Sequence, residues 1–335
     1  MYTVPFCVFR KRKRMDKRAE LLLIFLGMIL ALASCGAIES EKKDSALQTT
    51  MESTAESEEA KTTETESAQE ETNVANDKAI SQNDATYNVT EGTEEYRGFV
   101  LDNVLHSATE GDIHYNLYVP DTYDGSTPYA LFMTLPGYQG LYFQGVGENI
   151  RTEEFGFVAQ EYNPQMIIVA PQLEDWGEHS ARQTIALTEY FLDAYNIDTT
   201  KVYAEGYSGG GETLSLVMGM RPELYTAYLQ CSSQWDGGYD AVVESRTPVY
   251  LVVGERDEYY GSLPSENAYD AIHELYEKQG LTDSEIDKLL VLDIKTTPYF
   301  SKQGVTNQHG GGGHLFVQDE EIMGWLFGQQ KGEME

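Results

Sequence analysis

The segment Val202-Tyr203-Ala204-Glu205-Gly206-Tyr207-Ser208-Gly209-Gly210-Gly211 restricts the chain more than any other stretch. A run suited to a buried strand enters a serine enclosed by glycines, and an amphipathic pattern, Glu212–Met220, follows at once. Such a chain must reverse sharply at the serine. Flanking glycines remove the Cβ atoms that would clash in the turn, and the hydroxyl is left standing at a strand end. The glycines are not those of a phosphate loop, because the Lys-Ser/Thr ending is absent.

The surroundings of this motif repeat one alternation. Apolar runs bounded by turn residues fall at Tyr129–Leu135, Met166–Ala170, Lys201–Glu205, Ala227–Cys231, Pro248–Gly254 and Lys288–Ile294. With little internal alternation, they read as strands covered on both faces. Helical patterns separate them at Thr152–Tyr162, Ser180–Tyr195, Glu212–Met220 and Ser265–Gln279, and a last one covers Gln318–Phe327. This predicts an α/β domain over 87–335, with a mostly parallel central sheet flanked by helices. Tyr96–Leu105 and Asp112–Val119, with Gly111 near the turn between them, read as antiparallel strands added at the N-terminal edge.

A serine hydroxyl is a weak nucleophile until a base takes its proton, and the base needs a carboxylate to orient it. In this region the sequence resembles the α/β-hydrolase superfamily, and within it secreted putative esterases of the polyhydroxybutyrate-depolymerase type. The resemblance implies an α/β-hydrolase fold and a triad in the order serine, acid, histidine. Ser208 would be the nucleophile. Asp257, in Gly254-Glu255-Arg256-Asp257 after the strand Val249–Val253, matches the acid; Asp236, one strand earlier, is the alternative. Glu255 and Glu258 read as solvated. The histidine is expected in the glycine loop Gln308-His309-Gly310-Gly311-Gly312-Gly313-His314. Chain order permits either one. His314 is the expected base, because Leu315, Phe316 and Val317 would lock its backbone while His309 precedes four glycines. In the family, two backbone N–H groups hold the oxyanion, and by resemblance these are those of Tyr138, in Pro136-Gly137-Tyr138-Gln139-Gly140, and Gly209. The family often has His-Gly where this chain has Pro-Gly.

Tyr138, Tyr142, Phe143, Trp176, Trp235, Tyr259 and Tyr260 fall on or near loops at the expected rim, with Trp235, Tyr259 and Tyr260 assigned to the substrate. No metal and no other cofactor is expected, since the six histidines include no His-x3-His pair and the acidic residues are dispersed.

The N-terminal quarter reads differently. Arg10–Arg14 with Lys17 and Arg18 precede an apolar run from Ala19 to Ala33 that is shorter than a membrane-spanning helix. It reads as a signal peptide over 1–34, beginning at Met1 or Met15. Leu32-Ala33-Ser34-Cys35 resembles the lipobox of bacterial lipoproteins, which implies lipidation of Cys35. Residues 36–86 hold 13 acidic and 4 basic residues with almost no large apolar side chain, so 35–86 is expected to be the anchor and a disordered tether. With Cys7 in the leader and Cys35 acylated, Cys231 has no partner for a disulfide and reads as a packed thiol. Net charge is −32, from 55 acidic and 23 basic residues, seven of the latter before residue 20. Such a chain repels phosphate backbones and anionic headgroups, which excludes nucleic acid and leaves the lipid as the link to the membrane. Together these features lead to an extracytoplasmic serine esterase acting through an acyl-enzyme on small or oligosaccharide esters, acylated or feruloylated. The rivals are a peptidase of the prolyl-oligopeptidase kind and a surface solute-binding lipoprotein.

Overall fold

The computed structural model describes residues 87–332. The expected signal peptide, the expected lipidation site Cys35 and the expected tether lie outside them. In chain order the elements are β1 (Val89–Thr90), β2 (Glu94–Tyr96), β3 (Phe99–Ser107), β4 (Gly111–Tyr118), β5 (Tyr129–Leu135), α1 (Glu148–Thr152), α2 (Phe155–Tyr162), β6 (Met166–Pro171), α3 (Glu178–Ala194), β7 (Ile197–Tyr207), α4 (Gly209–Met220) and β8 (Ala227–Cys231). There follow α5 (Asp240–Ser245), β9 (Val249–Gly254), α6 (Leu263–Lys278), α7 (Asp283–Ile286), β10 (Leu290–Lys295), α8 (Thr297–Ser301), α9 (Gln308–Val317) and α10 (Glu320–Gly328).

The ten strands form one sheet in the order β1-β3-β4-β6-β5-β7-β8-β9-β10, with β2 paired to β3. From β6 to β10 every pairing is parallel. The strands β1 to β4 add antiparallel pairings at the other edge, β4 lying against β6. This is the α/β-hydrolase architecture, and the antiparallel edge is the predicted hairpin, closed where Ser107 pairs Gly111.

The central strands are buried on both faces, which explains their unbroken apolar runs. Every residue of β5 is buried. Leu131, Met133 and Leu135 join a layer with Leu187 and Phe191 of α3, Leu214 and Val217 of α4, and Ile272 of α6. Ala130 and Phe132 face the opposite layer, with Phe155 and Ala159 of α2, Phe316 of α9, and Ile322 and Leu326 of α10. The period-2 pleat sends alternate side chains to the two layers. The carboxyl ends of β5, β7, β8 and β9 consequently share one edge, where ligands of open α/β sheets bind.

One expected element differs. Gly310–Gly313 belong to the helix α9 and not to a loop. The glycines serve close packing: a Cβ on Gly311 would lie 2.2 Å from Val305 Cγ1, one on Gly312 2.7 Å from Ser232 Oγ, and one on Gly313 3.1 Å from the Tyr207 ring. A glycine run ordinarily weakens a helix. Here it lets α9 lie against the ends of the strands. Among the described residues, no helix is long and apolar enough to cross a membrane.

Candidate active site

Ser208 occupies the turn between β7 and α4 with φ 53° and ψ −121°, a left-handed backbone rare for a residue with a side chain. The neighbouring glycines make it feasible. A Cβ at Gly206 would lie 2.6 Å from the Gly210 carbonyl, and one at Gly210 only 2.2 Å from Leu135 O. The Ser208 N–H donates to Cys231 O at 2.9 Å, and Ser233 Oγ donates to Ser208 O at 2.6 Å. Strain at the serine is therefore held by β8 and the segment after it.

The histidine that meets Ser208 is His309. Its Nε2 lies 3.1 Å from Ser208 Oγ, and its Nδ1 lies 2.9 Å from Asp257 Oδ2. With the proton on Nδ1 donated to Asp257, Nε2 accepts from the serine hydroxyl, as a general base must. The expectation of His314 is corrected. Both histidines are on α9, five residues apart, and about 100° per residue turns the second roughly 140° around the axis. His314 is exposed in the last turn, whereas His309 opens the helix beside the sheet.

Asp257 follows β9, and its side chain is fully buried. Burial pushes its carboxyl up, but the His309 hydrogen bond and charge and the N–H groups of Tyr260 and Tyr259 together hold it below the ordinary aspartate value. Those N–H groups donate to Oδ1 at 2.8 and 3.0 Å, leaving Oδ2 to the imidazole. Asp236, the alternative acid, accepts from Gln234 Nε2 at 3.1 Å and has no bond to either histidine.

His309 is fixed from several sides. Its N–H donates to Glu258 Oε2 at 2.9 Å, and the Tyr207 hydroxyl donates to its carbonyl at 2.5 Å. Tyr207 and Tyr259 both lie nearly parallel to the imidazole, with centroids at 5.7 and 5.3 Å. Gln308, buried, ties the start of α9 to the acid loop by accepting from Arg256 N at 2.7 Å. A carboxylate next to the acid, which reads as solvated, and an aromatic just before the serine carry no recognisable motif, so the sequence does not reveal these contacts of Glu258 and Tyr207.

The expected oxyanion residues lie at the serine. Gly209 is the first residue of α4, where an N–H has no intrahelical acceptor. A Cβ on Gly137 would be 3.2 Å from Ser208 Cβ, so the loop carrying Tyr138 rests against the nucleophile. The same loop forms an aromatic wall. Tyr138 packs on Phe143 and Trp176 at 5.5 and 6.3 Å, and Trp176 lies 3.3 Å from where a Gly209 Cβ would be. Phe143 is 61% exposed and Tyr259 51%. Trp235 is corrected from rim to core: it is 8% exposed and packs on Tyr228 and Tyr239. Tyr142 stacks on His114 at 4.0 Å. Tyr260 does more than line the rim, since its hydroxyl donates to Glu212 Oε1 at 2.6 Å and its ring stands edge-on to the His309 imidazole at 5.5 Å.

Cys231 is a buried free thiol, pushed well up by burial and by the nearby Glu205 and Glu153. Away from the cleft, His273, Glu277 and Asp283 bring single ligand atoms within 4.8 Å of one another at the surface.

Over residues 172–282 the sequence matches the model of the prolyl oligopeptidase family, a stretch that holds Ser208 and Asp257 and ends before His309. No curated protein matches the chain. Among solved structures it is similar to a thermostable esterase, with a TM-score of 0.56 and 20% identity over 70% of this chain. It spans 64% of that esterase's length. Est1E from Butyrivibrio proteoclasticus matches with a TM-score of 0.45 and 14% identity, over 69% of this chain and 98% of that one. Oligopeptidase B from Leishmania major matches at 0.47 and 13%, over 68% of this chain and 37% of that one. The chain has the α/β-hydrolase fold, and at its strand ends a serine, a histidine and an aspartate are joined in one hydrogen-bonded line.

Proposed function

We propose that this chain is an extracytoplasmic serine esterase that cleaves carboxylic esters through an acyl-enzyme. The observation that carries the reading is His309 bridging Ser208 Oγ and Asp257 Oδ2 on a strained elbow. In acylation His309 Nε2 takes the Ser208 proton as Oγ attacks the ester carbonyl, and the oxyanion is received by the N–H groups of Tyr138 and Gly209. Collapse breaks the bond to the alcohol, which leaves with the proton from His309. Water then repeats the sequence on the acyl-enzyme, releasing the acid and restoring Ser208. Asp257 keeps its charge throughout and holds the imidazole tautomer.

The aromatic wall of Tyr138, Phe143 and Trp176, with Tyr259 beyond His309, supports an aryl or sugar-linked acyl group, such as a feruloyl or acetyl ester on a polysaccharide fragment. Cys35, by its lipobox resemblance, would anchor the enzyme outside the cytoplasmic membrane, with 36–86 as the spacer. A fluorophosphonate probe should label Ser208 covalently. Turnover of nitrophenyl esters and feruloylated oligosaccharides should then exceed that of prolyl and dipeptidyl amides; the reverse order would favour a peptidase, the reading supported by the prolyl oligopeptidase match over 172–282. Absence of labelling on the folded chain would exclude both.

A further inference from the structure

Glu153 follows α1 directly, and its Oε1 accepts the Gly137 N–H at 2.8 Å. Gly137 is wedged on its other side, because a Cβ there would meet Tyr207 at 3.1 Å and Ser208 Cβ at 3.2 Å. The next residue is Tyr138. A short loop held between a carboxyl on one side and the nucleophile on the other has its following N–H direction set by that carboxyl. We propose that Glu153 is a positioning residue for the oxyanion loop, holding Gly137 so that the Tyr138 N–H faces the reacting carbonyl, and that it does this as the uncharged acid. This rests on the reading of Ser208 as nucleophile and of Tyr138 as oxyanion donor.

The surroundings of Glu153 are acidic. Glu205, at the end of β7, is fully buried; its Oε2 accepts from Thr134 Oγ1 at 2.8 Å and its Oε1 has no partner. Glu205, Tyr207 and Cys231 each feel the charge of Glu153, and all three are acids. No basic side chain among the described residues acts on it. Although Glu153 as a residue is only partly buried, its carboxyl end is enclosed, and burial raises it to about 8 against the pull of the Gly137 N–H. A neutral carboxyl still offers its carbonyl oxygen to Gly137. A carboxylate there would place negative charge beside the oxyanion, opposing the stabilisation the donors supply. Turnover should therefore fall as pH rises through about 8.

The test uses the whole chain with nitrophenyl acetate and a fluorophosphonate probe across the pH range. Glu153→Ala should lower kcat about 10- to 100-fold with KM changed little, less than loss of a donor itself. Glu153→Gln keeps an oxygen for Gly137 and should recover most of that loss, and its alkaline limb should disappear. A wild-type kcat in Glu153→Ala, or an alkaline limb kept in Glu153→Gln, would overturn the proposal while Ser208 still labels. If wild-type Ser208 does not label, the hydrolase reading fails and takes this one with it. Should Glu153→Ala not fold, the limb in Glu153→Gln decides.

Discussion

The Tyr260 hydroxyl donates to Glu212 Oε1 at 2.6 Å, while its ring stands edge-on to the His309 imidazole with centroids 5.5 Å apart. A phenol has one hydrogen. With that hydrogen on Glu212, the ring is anchored beside the general base. Burial, then the charge of Glu212, pushes the Tyr260 phenol far up, and it stays protonated.

Tyr260→Phe should therefore lower kcat/KM about tenfold, or ~1.4 kcal/mol, mostly in kcat. It should also cost about 1 kcal/mol of stability through the bond to Glu212. Steady-state kinetics beside a denaturant titration checks both. A residue that merely lined the rim would change KM and leave kcat alone.

The two histidines of α9 should behave oppositely. Ser208→Ala and His309→Ala should each lower ester turnover by several orders of magnitude, about as much as losing both together, because the residues act as a unit. Thermal unfolding of Ser208→Ala should stay near wild type. His314→Ala, at an exposed position, should keep activity within about twofold. An inactive, folded His314→Ala would contradict the geometry of the site.

Legibility in the sequence followed the physics that shapes each part. Strands β5, β6, β8 and β9 were readable because burial on both faces leaves an unbroken apolar run, and Ser208 because only glycines tolerate the close approach at Gly206 and Gly210. Asp257 was readable from its place after β9. The base was not. Four consecutive glycines signal a loop by propensity, but in α9 they remove side chains that would strike Ser232, Val305 and Tyr207, and tertiary packing outweighs the helix penalty. Trp235 was misplaced for a similar reason: its polar, glycine-rich neighbours read as a loop at the rim, yet its ring packs into the core on Tyr228. Glu153 and Glu258 act by single contacts across 16 and 51 residues, which no local pattern encodes.

Buried carboxyls give the stability of the domain a definite pH slope. Burial and the charge of Glu153 raise Glu205 well above its ordinary value, so folding favours its protonated form. Its contribution is fully present below the unfolded pKa near 4.5 and is lost as pH rises through the higher folded value. Asp257 has the opposite sign, since its lowered value brings stability that is lost only as pH falls below the ordinary aspartate range. Between about pH 5 and 8, Glu205 and Glu153, both raised by burial, act together, and the melting temperature should decline toward alkaline pH. Glu205→Gln should flatten that decline, measured by calorimetry at several pH values. A slope identical to wild type would show that Glu205 does not titrate with folding.

The glycines of α9 allow a last separation of packing from flexibility. Alanine is favoured over glycine in a helix by about 1 kcal/mol, so each substitution brings a gain where space permits. At the exposed Gly310, an added Cβ would approach only the Asn307 side chain, at 2.9 Å, which can shift. At Gly312, the Cβ would stand 2.7 Å from Ser232 Oγ and 2.9 Å from the Phe316 ring, both in the buried interior. Relief there means moving α9 away from the end of β8, and His309 moves with it. A displacement of about 1 Å at a catalytic group costs on the order of 100-fold in rate. Gly310→Ala should thus unfold at or above the wild-type temperature with kcat/KM within about threefold. Gly312→Ala should lose stability and at least about tenfold in kcat/KM. If the glycines served loop flexibility, both variants would be stabilised and both slowed alike.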